Sequence, residues 1–152
     1  MTASVKSDYQ QILELTHRYA WCVDQRDVEG MVALYTEDAI FDTSHIGLND
    51  LRGHDGVRHF FNYIMKMTTA NSHHISNHII NIDGDRATGT CYAIAMANTP
   101  KDEEIFATVH YDDVYVKVNG QWKFAQRRLW PHTKAKLEAL PPAPALAGSS
   151  AR

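Results

Sequence analysis

The sequence predicts an α+β fold in which helices cover one face of a curved antiparallel sheet. Apolar residues recur at helical spacing in the first half of the chain, whereas the second half contains alternating, β-branched segments. Asn119-Gly120 lies between two of those segments and is the dipeptide most typical of a type I′ hairpin turn. Helices followed by a run of strands is the order expected of the α+β class.

The first half of the chain reads as helical, with three helices. The pattern Ser7-x-x-Gln is a capping box, and it opens a first helix that we place at residues 8–24. Asp27 can cap a second, shorter helix that runs through Tyr35. A third helix opens at Gly53 and carries the apolar stripe of a helix lying on a core.

The second half is predicted to form an antiparallel meander. The four strands are residues 75–82, 87–97, 105–118 and 121–130. A strongly curved sheet packed against few helices leaves a cone-shaped gap between the two layers. We expect this gap to be a pocket for a small molecule.

Length and composition indicate one globular domain. The chain has 152 residues, of which 44% are hydrophobic and 22% charged. We place the domain at residues 1–134 and a flexible tail, rich in proline and alanine, at residues 135–152. The net charge of −3, without a basic stripe, argues against a nucleic-acid partner.

The cellular compartment of the protein is predicted from its apolar runs and its cysteines. No apolar run approaches the roughly 18 residues of a membrane span, so no membrane association is expected. The first ten residues lack the apolar core of a secretory signal. Cys22 and Cys91 stand far apart and form no metal-binding or redox pattern, which favours a reducing compartment, the cytoplasm.

Two polar residues of the first helix have both a structural and a functional interpretation. Asp24 stands at the C-terminal end of the helix, where the helix dipole disfavours a carboxylate. It either begins an exposed polar stretch or is compensated by a partner. Tyr19 lies on the buried stripe, and a buried tyrosine needs a partner for its hydroxyl whether it serves the core or a site.

Histidines and arginines on the strands are further candidates. Strand alternation predicts that His74 and His78 share one face and that His73 points to the other. No third ligand at suitable spacing supports a metal site, so none is predicted. On the last strand, alternation puts Arg128 on the face of Trp122 and Arg127 on the opposite face.

These features together resemble the SnoaL-like group of the NTF2-like superfamily, across residues 8–130. The resembling segments are ILEL at 12–15, RYA at 18–20, Asp24, LYTEDAIF at 34–41, GVRHFF at 56–61, HHISNH at 73–78, DGDRA at 83–87, YDD at 111–113 and GQWKF at 120–124. The resemblance implies an NTF2-like cone, with the sheet wrapped on the N-terminal helices around the pocket.

The resemblance also implies the catalytic residues. Enzymes of this group use an Asp–His dyad, which falls on Asp24 and, ten residues before the Asp83 turn, on His73. Its dehydratases place a tyrosine five residues before the aspartate, which is Tyr19 here. Its dehydrochlorinase has an arginine five residues after the strand tryptophan, which is Arg127 here.

Three classes of function follow from the resemblance. The first is a cofactor-independent lyase of the dehydratase type, losing water or a small aldehyde from an apolar aromatic or polycyclic substrate. The second is a ketosteroid-type isomerase or cyclase. The third is a non-catalytic ligand-binding module or the small subunit of an oxygenase. Relatives are dimers or trimers, so we expect a homodimer or homotrimer, and no metal or cofactor is implied.

Histidine suits the first two classes because an imidazole exchanges its proton near neutral pH. Asp24 would hold the imidazole in one tautomer, and Tyr19 would donate to a carbonyl or leaving oxygen. We expect the substrate to be contacted by two groups of side chains. The aromatic group is Trp21, Phe41 and Tyr92, and the polar contact is His110.

Overall fold

A computed structural model describes residues 6–48 and 50–133 of the chain. The helices in this part are α1 (Asp8–Asp24), α2 (Val28–Val32) and α3 (Gly53–Met67). The strands are β1 (Tyr35–Asp42), β2 (Leu51–Arg52), β3 (Ala70–Asp83), β4 (Arg86–Asn98), β5 (Glu104–Val118) and β6 (Gln121–Pro131). The predicted α+β cone is confirmed. The predicted tail, residues 135–152, lies outside the described residues.

Local signals define the helix starts. The Ser7 hydroxyl accepts a hydrogen bond from the Gln10 amide, and the Gln10 side chain accepts one from the Ser7 amide, so the capping box is present. The Asp27 carboxylate caps α2 by accepting from the Gly30 amide at 2.8 Å. However, α2 ends at Val32, and Tyr35 begins a strand.

The two strands of the first half are absent from the sequence-based prediction. In β1 the alternation is interrupted, because Glu37 and Asp38 are both exposed between buried neighbours. The register of β1 on β6 shifts at the same place, between Tyr35 and Ile40. β2 has only two residues, too few for a periodic pattern.

The sheet order is β2-β1-β6-β5-β4-β3. β3 to β6 form the predicted antiparallel meander, and both residues of the Asn119-Gly120 turn have positive φ, as a type I′ turn requires. β1, in contrast, runs parallel to β6, so the sheet is mixed and not wholly antiparallel as predicted.

A β-bulge in β6 changes which arginine points inward. Val114 pairs with Gln126 and Tyr115 pairs with Phe124, so Ala125 is an extra residue on β6. The extra residue brings Arg127 to the concave face, where it is fully buried. The prediction that Arg127 lies opposite Trp122 was therefore wrong.

A second bulge changes the face of the sheet on which the later residues of β3 lie. The register of β3 on β4 shifts around Asn77, which has a left-handed backbone with φ of 54°. As a result His73 and His78 both face the helices, and His78 Nε2 lies 2.8 Å from the Thr16 hydroxyl on α1. His74 is exposed, so its predicted pairing with His78 on one face was wrong.

Helices α1 and α3 cover the concave face of the sheet, and the core lies between these helices and the sheet. Aromatic rings from both layers meet in edge and stacked contacts, with centroids 5.0–6.1 Å apart. These rings are Tyr19, Tyr35, Phe41, Phe60, Phe61 and Phe124. Such pairs contribute beyond their buried area, and they fix the position of α1 relative to the sheet.

The left-handed backbone at Asn77 leads to a prediction about the stability of the protein. Asn77→Val should lower the free energy of unfolding by about 1–2 kcal/mol, because a β-branched residue is strained in the left-handed region. Asn77→Gly should lose little or nothing. Urea unfolding of both variants measures the difference, and equal stability of the two would contradict the assigned backbone.

Candidate active site

Helices α1 and α3 and the concave face of β3 to β6 enclose a cavity of about 140 Å³. Most of its wall is apolar, including Val23, Phe60, Phe61, Ile64, Ala95, Ala97, Ile105, Ala107, Val109 and Leu129. The lining residues with polar side-chain atoms are Tyr19, Thr68, Asn71, His73, Tyr111 and Thr133. An apolar cavity with few polar groups is typical of a small-molecule site.

Asp24 and His73 are in direct contact. The Asp24 carboxylate accepts two hydrogen bonds from the same residue, one from His73 Nδ1 at 2.8 Å and one from the His73 backbone amide at 3.0 Å. The His73 side chain is only 12% exposed. This partner compensates for the unfavourable position of Asp24 at the end of α1.

The contact fixes the tautomer of His73. An ionised carboxylate only accepts hydrogen bonds, so Nδ1 carries the proton and Nε2 keeps its lone pair. Because His73 lines the cavity while Asp24 does not, Nε2 is the nitrogen available to a bound molecule. The second hydrogen bond, to the backbone, also holds β3 against the end of α1.

A second polar group in the cavity is a pair of tyrosine hydroxyls. Tyr19 on α1 and Tyr111 on β5 are both 3% exposed, and their hydroxyl oxygens lie 3.5 Å apart. Burial raises the pKa of the Tyr19 hydroxyl, although the nearby Arg127 guanidinium opposes part of that rise. Burial likewise raises the pKa of Tyr111. Both hydroxyls are therefore protonated at neutral pH and can donate.

Arg127 lies behind this tyrosine pair. Its guanidinium carbon is 4.2 Å from the ring centroid of Tyr19, 4.0 Å from that of Tyr111 and 4.2 Å from that of Phe124. Asp113 accepts two hydrogen bonds from it, at 2.8 and 2.7 Å. Arg127 is not among the residues that line the cavity, so the structure does not place it against a ligand as the sequence predicted.

The buried charge of Arg127 is maintained by its partner. Burial acts against a charged guanidinium, but the Asp113 carboxylate more than offsets this and holds the pKa of Arg127 well above its usual value. Asp113 in turn accepts from the Tyr115 hydroxyl at 2.8 Å. Burial raises the pKa of the adjacent Cys91 thiol to about 12, so this cysteine is a neutral core residue and not a nucleophile.

Two of the predicted substrate contacts on the helical side of the sheet do not reach the cavity. Phe41 is fully buried in the aromatic core beneath it, against Phe60 and Phe61. Trp21 is 65% exposed on the outer side of α1. It borders a shallow depression outside the cavity, next to Asp24.

The other two predicted contacts lie on the convex face of the sheet. Tyr92 is 43% exposed there, and its ring stacks on His132. His110 Nδ1 lies 2.8 Å from His132 Nε2, and its ring stacks on Trp130. Strict alternation along β5 turns Val109 and Tyr111 inward and hence His110 outward.

Sequence reasoning missed Tyr111 and Asn71, and the same alternation identifies both. Tyr111 follows Val109 by two residues on β5, so it belongs to the inward set. Asn71 precedes His73 by two residues, but the predicted strand began only at residue 75. Extending that strand to Ala70, as the structure does, puts Asn71 and His73 on one face.

Within residues 6–48 and 50–133, no group of three or more histidine, cysteine, aspartate or glutamate side chains is arranged to hold a metal ion. In the same part of the chain, no helix combines the length and apolar character needed to cross a membrane.

Comparison with known protein families gives a match over most of the chain. The model of the SnoaL-like domain matches residues 5–128. The chain belongs to the SnoaL-like domain family. The cavity, the Asp24–His73 pair and the tyrosine pair thus lie within a SnoaL-like domain.

Solved structures similar to this SnoaL-like domain include proteins with named activities. A protein of Novosphingobium aromaticivorans, provisionally named an aromatic ring hydroxylase, has a TM-score of 0.81 and 26% identity, covering 87% of this chain and 95% of its own. A provisionally named scytalone dehydratase of the same species has a TM-score of 0.77 and 25% identity, and the match covers 83% of this chain and 85% of that protein. The hexachlorocyclohexane dehydrochlorinase LinA-type3 of Novosphingobium barchaimii has a TM-score of 0.74 and 18% identity. The match covers 82% of this chain and 86% of that enzyme, which shows a shared fold.

The buried pair in this SnoaL-like domain makes a prediction about stability. Arg127→Met should lower the free energy of unfolding by about 3–5 kcal/mol, because it leaves Asp113 buried without a countercharge. The double variant Asp113→Leu with Arg127→Met should recover much of that loss. Urea unfolding measures both.

Arg18→Met is the control for this experiment, because the side chains of Arg18 and its partner Glu14 are 64% and 32% exposed, and its loss of stability should be far smaller. A loss from Arg127→Met no larger than that from Arg18→Met would contradict the role of the pair.

Proposed function

We propose that this protein is a cofactor-independent lyase that carries out a dehydratase-type elimination on a small apolar substrate, aromatic or polycyclic in character. The observation that carries the proposal is the Asp24–His73 pair at the wall of an apolar cavity. The dehydratase and dehydrochlorinase names among the structural relatives belong to the same reaction class.

His73 acts as the general base in this proposal. Its Nε2 removes a proton from a carbon of the bound substrate, and Asp24 stabilises the imidazolium that forms. The short hydrogen bond to Nδ1 spares the imidazole from reorienting when it takes the proton. The cavity wall is mostly apolar, so the charge pair between imidazolium and carboxylate is weakly screened.

Tyr19 and Tyr111 act on the leaving group. Both hydroxyls are neutral donors, and their separation of 3.5 Å allows one substrate oxygen to accept from both. A hydroxyl group that departs from the substrate as water needs a proton, which the imidazolium of His73 returns. The tyrosine pair stabilises the charge on the departing oxygen by donating hydrogen bonds to it. Arg127 acts as a positioning residue, since its guanidinium supports both rings and does not line the cavity.

An isomerase would use the same base and the same donors without losing a group. A ligand-binding module would use the cavity alone, and it would not require the hydrogen bond that His73 Nδ1 donates to Asp24. We therefore rank elimination first. We further infer that the protein acts in the cytoplasm, because both Cys22 and Cys91 are free thiols.

The role of His73 as the general base leads to the first prediction about activity. His73→Ala should lower kcat/KM about 10²- to 10⁴-fold while the protein remains folded. The assay is a mass-resolved screen of hydroxylated aromatic and steroid-like compounds with no cofactor added. A product lighter by one water, lost in the variant, supports the lyase, and an isomer of unchanged mass supports the isomerase.

His74→Ala is the matched control, because His74 is the next residue on β3 and is exposed on the other face. Near-normal turnover by folded His73→Ala protein, or an equal loss in both variants, would exclude His73 as the base.

The tyrosine pair makes the second prediction on activity. Tyr19→Phe and Tyr111→Phe should each lower kcat by about 10²- to 10³-fold, because each removes one donor to the leaving oxygen. Tyr9→Phe, an exposed position on α1, is the control and should retain full activity. Unchanged kcat in Tyr111→Phe would mean that Tyr19 acts without a partner.

Self-association is the remaining prediction. We infer that a second copy of this chain covers the convex face, where a set of apolar side chains is 37–63% exposed. These are Ile79, Tyr92, Ile94, Met96 and Phe106. Sedimentation should show a dimer or trimer, and Phe106→Glu should shift it to a monomer. A monomeric wild-type protein would contradict the inference.

A further inference from the structure

The amide of Asn71 is an unsatisfied donor in the wall of the cavity. Its Nδ2 is buried and has no hydrogen-bond partner among the described residues. Other buried side-chain atoms of that part of the chain lack partners too, but they belong to residues outside the cavity lining. A buried donor without an acceptor costs free energy, so it is retained most readily where a ligand supplies the acceptor.

The surroundings of Asn71 offer no acceptor from the protein. Across the sheet its neighbour is Ala97, followed by Ile105 on β5, and both present only hydrocarbon to the cavity. The threonine hydroxyls of the lining bond elsewhere, Thr68 to the Ile64 carbonyl and Thr133 to Thr108, and neither accepts from Asn71. The Asn71 amide is therefore a buried donor without an acceptor at the cavity wall.

Asn71 also stands at a fixed distance from the base. It lies two residues before His73 on the same face of β3, where Cα atoms are about 6.6–6.8 Å apart. The ladder partner of His73 is Ala95, and that of Asn71 is Ala97. Two small residues thus leave room for a planar ring system lying across both side chains.

We propose that Asn71 is a specificity-determining residue that donates a hydrogen bond to a carbonyl oxygen of the substrate, one carbon away from the C–H group that His73 deprotonates. When His73 Nε2 takes that proton, the electron pair of the C–H bond moves through the adjacent carbon onto the oxygen, giving an enolate. The Asn71 hydrogen bond strengthens as this charge develops.

The proposal rests on the proposed function for the reacting carbon, but its test is a binding measurement that needs no turnover. The probes are 1-tetralone, a bicyclic ketone, and tetralin, the same skeleton without oxygen. Wild-type protein should bind the ketone about tenfold more tightly, as a net hydrogen bond to a buried amide allows. Titration calorimetry of the full chain measures both affinities.

Asn71→Leu keeps the shape of the side chain and removes the donor. It should abolish the preference for 1-tetralone while leaving the affinity for tetralin unchanged. Its thermal midpoint should equal or exceed that of the wild type, because the variant removes a buried donor that has no partner.

Two controls separate this proposal from the proposed function. Asn62→Leu, at an exposed position on α3, should keep the wild-type preference. His73→Ala should weaken the binding of both probes alike and so keep the ratio of their affinities, because the two probes share the skeleton that contacts the imidazole. Failure of His73→Ala to lower turnover would overturn the proposed function and leave the Asn71 preference standing.

Three results would overturn the inference. They are equal affinity of the wild type for the two probes, binding of neither probe, and an undiminished preference for the ketone in Asn71→Leu.

Discussion

The buried ion pair between Arg127 and Asp113 is the interaction on which the rest of the structure depends. Removing two charges from water is costly, and the chain offsets that cost with two charge-assisted hydrogen bonds and three aromatic rings around one guanidinium. Tyr19 of α1 and Tyr111 of β5 are two of these rings. The ion pair thereby fixes the distance between the helix and the middle of the sheet.

The cavity side chains assigned a part in the reaction are supported from behind by groups that do not line the cavity. Asp24 lies behind His73, and Arg127 lies behind the tyrosine rings. Support of this kind reduces the motion of the functional atoms, which is the requirement for preorganised catalysis. Asn71 is the exception, because its amide has no such support and depends on a ligand for its partner.

Capping residues, turn dipeptides and periodicity act over a few residues, and they allowed the helices and the meander to be predicted. The Asp24–His73 contact joins residues 49 positions apart, and it was predicted from the resemblance to the SnoaL-like group. The sequence did not allow us to predict which face of the sheet the Arg127 and His78 side chains occupy. Alternation assumes one residue per ladder position, and the extra residues at Ala125 and Asn77 violate that assumption.

The predicted substrate contacts failed for a related reason. Trp21, Phe41, Tyr92 and His110 were chosen by residue type, whereas lining a cavity depends on the face that a side chain occupies. Val109 and Tyr111 on either side of His110 carried that information. The parallel pairing of β1 with β6 joins segments that are far apart in sequence, and no local pattern encodes it.

The two bulges have a consequence for how this protein could diverge. Loss of either extra residue would exchange the inward and outward side chains along the rest of its strand, a change that no single substitution can produce. Deletion of Ala125 would turn an arginine out of the core and a different side chain in. One-residue gaps in alignments across β3 or β6 should therefore mark the boundary between relatives that share this chemistry and relatives that share only the shape.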